Sequence, residues 1–169
     1  KIVGADNVAD DAETLARHGA DFSTEKPGRF SCVVRPRTVS QVQAVIKLAG
    51  EQKFAVVPQS SRVHFHGAAV PKQAGVVLDL SVMDKIVEIV EEPLVAYLQA
   101  GVTWEQYTAA LDELGYTPVI PLLPHAERSV ISDYLEREQP VIQQHESADP
   151  LQSLQMVWGN GEEFVSGSA

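Results

Sequence analysis

The chain has 169 residues, 44% of them apolar, and a formal net charge of −10, enough for one domain with a real core or two small lobes sharing one. The acidic balance argues against nucleic acid or an anionic membrane surface as partner, because both need clustered Lys and Arg, and no apolar run approaches the roughly 18 residues that span a bilayer. Cys32 is the single cysteine, which excludes an internal disulfide and a cysteine-built metal site and fits a reducing, cytoplasmic setting.

The first residues, Lys1-Ile2-Val3-Gly4-Ala5-Asp6, hold neither a signal-peptide core nor an initiator methionine. They read as the start of a trimmed chain or of a piece of a longer one. A first helix is expected over residues 10–22, with Leu15 and Ala16 on its apolar side and Gly19 near its end. Ser31-Cys32-Val33-Val34 is a short strand stopped by Arg35-Pro36, with Cys32 as a buried small hydrophobe. Thr38-Val39-Ser40-Gln41 is a capping box: the Thr hydroxyl accepts from the N3 amide and the Gln reaches back. Behind it Val39, Val42, Val45, Ile46 and Ala49 form one helical stripe, with Gly50 close to the end. Phe54-Ala55-Val56-Val57 is a buried strand, so this β–α–β order predicts a parallel pair with a crossover helix.

The later part has a different texture. Residues 76–80, 86–90 and 95–98 read as strands of an antiparallel meander, with Pro93 in the last break. Thr103-Trp104-Glu105-Gln106 is a second capping box, followed by a stripe of Trp104, Tyr107, Leu111 and Leu114 and by Gly115 at C′. Residues 154–158 and 163–165 flank Gly159-Asn160-Gly161, a hairpin signal. The fold class is α+β in two lobes: a small β–α–β lobe, then a mixed or antiparallel sheet lobe with helices, divided near Pro71 to Gly75.

Chemistry concentrates in Pro58-Gln59-Ser60-Ser61-Arg62-Val63-His64, which closes at Gly67. The proline fixes the strand exit. Successive amides in such a turn converge into an anion-binding concavity, and the hydroxyls of Ser60 and Ser61 add donors. A diphosphate fits such a place without net positive charge. A plain surface connection between two strands is the competing reading, since the glycine spacing of a P-loop or Rossmann fingerprint is absent. His64 and His66 form an H-x-H pair which His125 is placed to join, either as a zinc-type site or with His64 or His125 beside a phosphate or flavin. His18 and His145 read as surface residues. Glu91-Glu92 and Glu162-Glu163 read as solvated charges, and Glu136-Arg137-Glu138 as a polar helix face. No Gly-x-Ser-x-Gly elbow and no nucleophile–base pair occurs.

Several strings in order resemble the FAD-binding (PCMH-type) domain of the FAD-linked oxidases, the vanillyl-alcohol oxidase and p-cresol methylhydroxylase superfamily. They are Val34-Arg35-Pro36-Arg37-Thr38-Val39-Ser40-Gln41-Val42, Val56-Val57-Pro58 with its loop to Gly67, and Gly75-Val76-Val77-Leu78-Asp79-Leu80-Ser81-Val82-Met83-Asp84-Lys85-Ile86. Gln99-Ala100-Gly101-Val102-Thr103-Trp104 and Trp158-Gly159-Asn160-Gly161-Glu162-Glu163 complete the set, which runs over about residues 30 to 167. The resemblance implies one FAD-binding domain over 1–169, the N-terminal part of a longer oxidase, with sub-lobes 1–72 and 73–169. It implies that the segment after Pro58, from Gln59 to His64 and closing at Gly67, wraps the FAD diphosphate. Leu123-Pro124-His125 and Ser129-Val130-Ile131-Ser132 would line the flavin, Gly101 and Val102 would border the adenine side, and Asp79-Leu80-Ser81 would be a strand end near the cofactor.

This chain also departs from the pattern. Ser61 and Arg62 stand where the family commonly has glycines, which implies strain at Arg62 if that position needs φ > 0. Ser132-Asp133 replaces a Gly-Gly pair, which implies a carboxylate near the flavin unless it turns away or is protonated. Val63 occupies the place of a linking histidine, so the FAD would be non-covalent. The implied function is the FAD-binding domain of a flavin-dependent oxidoreductase acting on a small hydroxy acid, alcohol or similar substrate. A C-terminal substrate domain or partner subunit would supply most catalytic residues, so this domain alone is expected to bind cofactor and not to turn over substrate well. The alternative is a degenerate flavoprotein fold serving as a non-catalytic binding or assembly module without FAD.

Overall fold

The computed structural model describes residues 1–118, 125–136 and 151–167. A four-stranded sheet organises them, in the order β1-β2-β4-β3. It is built from β1 (Val8–Ala9), β2 (Cys32–Val34), β3 (Ala55–Gln59) and β4 (Gly75–Asp79). β4 runs parallel to both β2 and β3, while β1 adds an antiparallel edge. Two hairpins lie outside it: β5 (Ile86–Val90) with β6 (Val95–Leu98), and β7 (Gln155–Val157) with β8 (Glu163–Val165). The helices are α1 (Ala12–His18), α2 (Val39–Gln52), α3 (Trp104–Asp112) and α4 (Val130–Glu136). No helix among the described residues is long and apolar enough to cross a membrane.

The position of β4 corrects the expected meander. Its apolar run is buried along nearly its whole length, which is the environment of a central parallel strand covered on both faces. Only β5 and β6 of the three expected strands pair antiparallel. β2 and β3 are parallel as predicted, but β4 lies between them, so the crossover through α2 skips a strand position. A division near residues 71–75 therefore falls between adjacent strands of one sheet.

Alternation along the strands gives the sheet two apolar faces. On one, Val34 and Leu78 meet Val3 and Val45 of α2, with Val42, Ile46, Val56 and Val76 packed around them. Val33 and Val77, the intervening residues, are fully buried on the other. Each such side chain contributes roughly 1.5–3 kcal/mol by leaving water.

Local signals set the helix starts. Asp11 caps α1 by accepting from Thr14 N at 2.9 Å, and the helix ends at His18, shorter than expected. Thr38 accepts from Gln41 N at 3.3 Å, but the Gln41 side chain reaches Arg37 N at 2.7 Å, one residue before the cap. That box is therefore half closed. α2 continues through Gly50 and stops at Lys53, a left-handed residue at φ 59. The Thr103–Gln106 box is complete, and the chain turns back after α3 where Tyr116 N donates to Leu111 O. The Gly159-Asn160-Gly161 turn is wider than a two-residue hairpin. Trp158 N donates to Glu162 O at 2.8 Å, and Gln43 of α2 holds Gly161 O at 3.1 Å.

Candidate functional site

Ligands of open sheets with parallel strands lie beyond the carboxyl ends of the strands. Here β3 and β4 end together at the register pair Gln59 and Asp79. Beyond them opens a groove of about 280 Å3 lined by Ser60, Ser61, Arg62, Ser81, Asp84, Gly101, Thr103, Gln106 and Glu127. Ser60, Ser61, Arg62 and Gly101 are sequence-predicted site residues, and Ser81 belongs to the predicted strand end. Thr103 and Gln106 were legible only as a helix cap, and Asp84 and Glu127 carried no site signal of their own, because the fold gathers these residues from separate turns.

The loop after Pro58 forms one wall. Among the described residues the non-glycine positive φ values are at Lys53 and Leu94. Ser61 and Arg62 therefore sit in ordinary conformations, and the expected strain at Arg62 is absent: the loop bends without left-handed residues until Gly67, at φ 72. Gly67 N is held by Asp21 Oδ2 at 2.8 Å. Burial raises the Asp21 carboxyl, but bonds from Ser23 and Gly67 outweigh it, so its pKa lies below the usual range. The N–H groups of Ser61, Arg62 and Val63 donate to no other group among the described residues. Arg62 is exposed and has no ion pair among the described residues. Among the described lining residues it is the one cation, beside the carboxylates Asp84 and Glu127.

Val63 and His64 turn inward. Val63 is buried in the core, and His64 Nε2 lies 2.9 Å from Ser61 O with Nδ1 3.3 Å from Glu136 Oε1. His66 and His125 are exposed, and His125 Nδ1 accepts from Glu127 N at 3.3 Å. The structure does not bring the three imidazoles together, and no group of three His, Cys, Asp or Glu among the described residues is arranged to hold a metal. Pro124 and His145 lie outside the described residues.

The opposite wall is the turn before α3 with the segment that docks on it. A Cβ at Gly101 would sit 2.6 Å from both Leu80 O and Ser81 O, so only glycine lets this turn lie against the end of β4. Val102 is fully buried. Val130 N donates to Val102 O at 3.0 Å, Trp104 N to Arg128 O at 3.0 Å, and Ser129 Oγ to Ala100 O at 2.6 Å. Ser132 N is held by Ser129 Oγ at 3.3 Å. The hydroxyls of Ser60 and Ser132 are hydrogen-bonded, joining the two predicted segments directly. Val130 is buried and Ile131 half-buried, so both serve the docking.

Asp133 does not face the groove. Its Oδ2 accepts from Trp104 Nε1 at 2.5 Å and its Oδ1 pairs with Arg128 Nη1 at 2.5 Å. The carboxylate expected beside the flavin is thus turned away and neutralised. Glu136, expected on a polar helix face, is instead the second partner of buried Arg128. The Arg128 guanidinium also stacks on Phe65, 4.9 Å from the ring centre. Tyr134 meets Trp104 edge-on at 5.6 Å; burial, with Tyr107 and Asp133 nearby, pushes its phenol up to about 12.

The largest departure from expectation is His18. It is buried rather than exposed, with Nδ1 2.7 Å from Gln59 Oε1 and Nε2 3.8 Å from Asp79 Oδ2. The available signal was its spacing from Leu15, one turn earlier on the inward side of α1.

The sequence profile of the family described as FAD binding domain matches residues 30–132. The chain is 32% identical over 119 residues to a D-2-hydroxyglutarate dehydrogenase of Stutzerimonas stutzeri, covering 70% of this chain and 26% of that protein. It is 25% identical over 115 residues to the glycolate oxidase subunit GlcD of Bacillus subtilis, covering 68% and 24%. The fold matches p-cresol methylhydroxylase with substrate bound at a TM-score of 0.80 and 23% identity, over 98% of this chain and 33% of that one. The chain spans about a quarter of the length of these curated relatives. Among the described residues, the groups of the groove that fit a diphosphate are the unpartnered amides of Ser61 and Arg62 and the Arg62 guanidinium, while the lining hydroxyls are hydrogen-bonded within the protein. The chain belongs to the FAD binding domain family, and the cofactor of that domain is FAD.

Proposed function

We propose that this domain holds FAD non-covalently within a flavin-dependent oxidoreductase that oxidises a small 2-hydroxy acid. The carrying observation is that Ser61 and Arg62, whose N–H groups have no partner among the described residues, line the groove beyond the ends of β3 and β4. Those amides and the guanidinium would take the diphosphate, and Thr103 and Gln106 would meet the polar groups next to it. Val63 offers no atom for a covalent link. The ion pairs of Arg128 with Asp133 and Glu136 would orient the second wall. When bound, FAD supplies the hydride acceptor. The hydroxy-acid reading is supported by two of the relatives, a D-2-hydroxyglutarate dehydrogenase and a glycolate oxidase subunit. A C-terminal substrate domain or partner subunit would supply the remaining catalytic groups. The flavin-free module has no comparable support.

The test is direct. Purified protein should carry flavin absorbance or, once stripped, be stabilised by added FAD; at a hundred times Kd the gain is about 2.7 kcal/mol. A colourless protein whose Tm is unmoved by excess FAD would sink the reading. In the complete protein, flavin bleaching by 2-hydroxy acids but not by simple alcohols is the expected substrate result.

A further inference from the structure

We propose that His18 is a positioning residue for the diphosphate loop, acting through Gln59. The inference rests on the groove being the FAD site. His18 is the last residue of α1 and is 3% exposed. Gln59 is the last residue of β3, immediately before Ser60, Ser61 and Arg62, which line the groove. Its side-chain amide donates to His18 O at 2.9 Å and to Ala69 O at 2.8 Å. Both donors are thereby used, so its Oε1 faces the ring and His18 Nδ1 must carry the proton it accepts, at 2.7 Å. Three contacts fix Gln59, and two of them belong to His18.

The same ring also addresses the neighbouring corner. Asp79, the register partner of Gln59, accepts from Ser81 N at 3.1 Å, Ser81 Oγ at 2.6 Å and Arg35 Nε at 3.1 Å. Leu80 N donates to Gln59 O at 2.7 Å, linking the two corners. His18 therefore lies beneath both chain exits that line the groove, Ser60 and Ser81.

The other ring nitrogen carries the second half of the argument. His18 Nε2 is buried and makes no hydrogen bond among the described residues, the nearest Asp79 oxygen lying 3.8 Å away. A buried polar atom left unmet is costly. An apolar side chain of similar volume would remove that cost but would orphan buried Gln59 Oε1 at a comparable one, so the balance of stability does not single out histidine here. What histidine provides and an apolar residue does not is the Nδ1–H that orients Gln59.

His18→Phe keeps volume and loses the donor, whereas His18→Asn loses volume and keeps an N–H near the Nδ1 position. FAD titration of both variants in the full chain tests the proposal, with ADP as a probe that carries the diphosphate without the flavin. Expected is a Kd for FAD and ADP raised about tenfold in His18→Phe, equivalent to about 1.4 kcal/mol, with His18→Asn near the parent despite a lower Tm. Equal loss in both variants, or none in either, would overturn the proposal. Amide exchange at Leu80 and Phe22, whose N–H groups donate to Gln59 O and His64 O, gives a readout without cofactor. It should quicken in His18→Phe and in Gln59→Met and stay near the parent rate in His18→Asn; unchanged rates in all three would refute the positioning role. A parent protein that binds neither FAD nor ADP would refute the groove reading, while the exchange measurement would still decide the part played by His18.

Discussion

Behind the Ser60–Val63 loop the fold places His18 hydrogen-bonded to Gln59, with Asp79 3.8 Å from the ring and bonded to Arg35 at the edge. Behind the 125–132 segment it places a buried arginine between two carboxylates. The two walls of one groove are thus backed by different physics. Losing a partner in the first leaves a hydrogen bond unmet, at about 1–3 kcal/mol. Losing Arg128 in the second leaves buried carboxylates without their counter-charge, at about 3–5 kcal/mol. The first wall is therefore open to graded adjustment, and the second holds or fails as a unit.

Arg128→Met should show the largest effect, a loss of about 3–5 kcal/mol in chemical unfolding. A loss no greater than that of a first-wall variant would break the contrast. Gln59→Leu is that variant, expected to cost about 1–3 kcal/mol while leaving unfolding cooperative. A smaller, pH-confined effect should come from Tyr134. Its folded-state phenol is raised to about 12, above an ordinary tyrosine at about 10. The stability it contributes is fully present below the unfolded value and is lost as pH rises through about 12. Phenolate absorbance should show a last-titrating tyrosine at about 12, lost in Tyr134→Phe, after Tyr107 and Tyr116, which are also raised; no tyrosine titrating at about 12 would mean that the second wall opens readily. Arg62→Ala should move stability least, within about 0.5 kcal/mol. Its FAD affinity should fall and lose part of its salt dependence, and unchanged affinity would remove Arg62 from the diphosphate site.

Legibility followed the distance between partners. The caps at Thr38 and Thr103 were readable because each hydroxyl finds its amide three residues on, although the Gln41 side chain chose the amide of Arg37 instead. The run at residues 75–79 announced a buried strand, but apolar periodicity carries no direction, so its parallel place between β2 and β3 was not visible. His18 looked like a surface residue because its partner is 41 residues away, and Asp133 looked like a threat to the flavin because Trp104 and Arg128 are joined to it only by the fold. The loop at Ser60–Arg62 was found by its chemistry. Its unstrained backbone was not, because glycine at matching places in a family does not reveal whether a given loop needs φ > 0.

Lys53, which ends α2 at φ 59 and ψ 44, offers a reserve. A lysine held in the left-handed region gives up roughly 1–2 kcal/mol, and glycine regains part of that after its own greater freedom in the unfolded chain is counted, about 0.4–1 kcal/mol. Lys53→Gly, at the end of α2 and outside the groove lining, would make a sturdier host in which the costlier groove substitutions stay folded long enough for their ligand affinities to be measured.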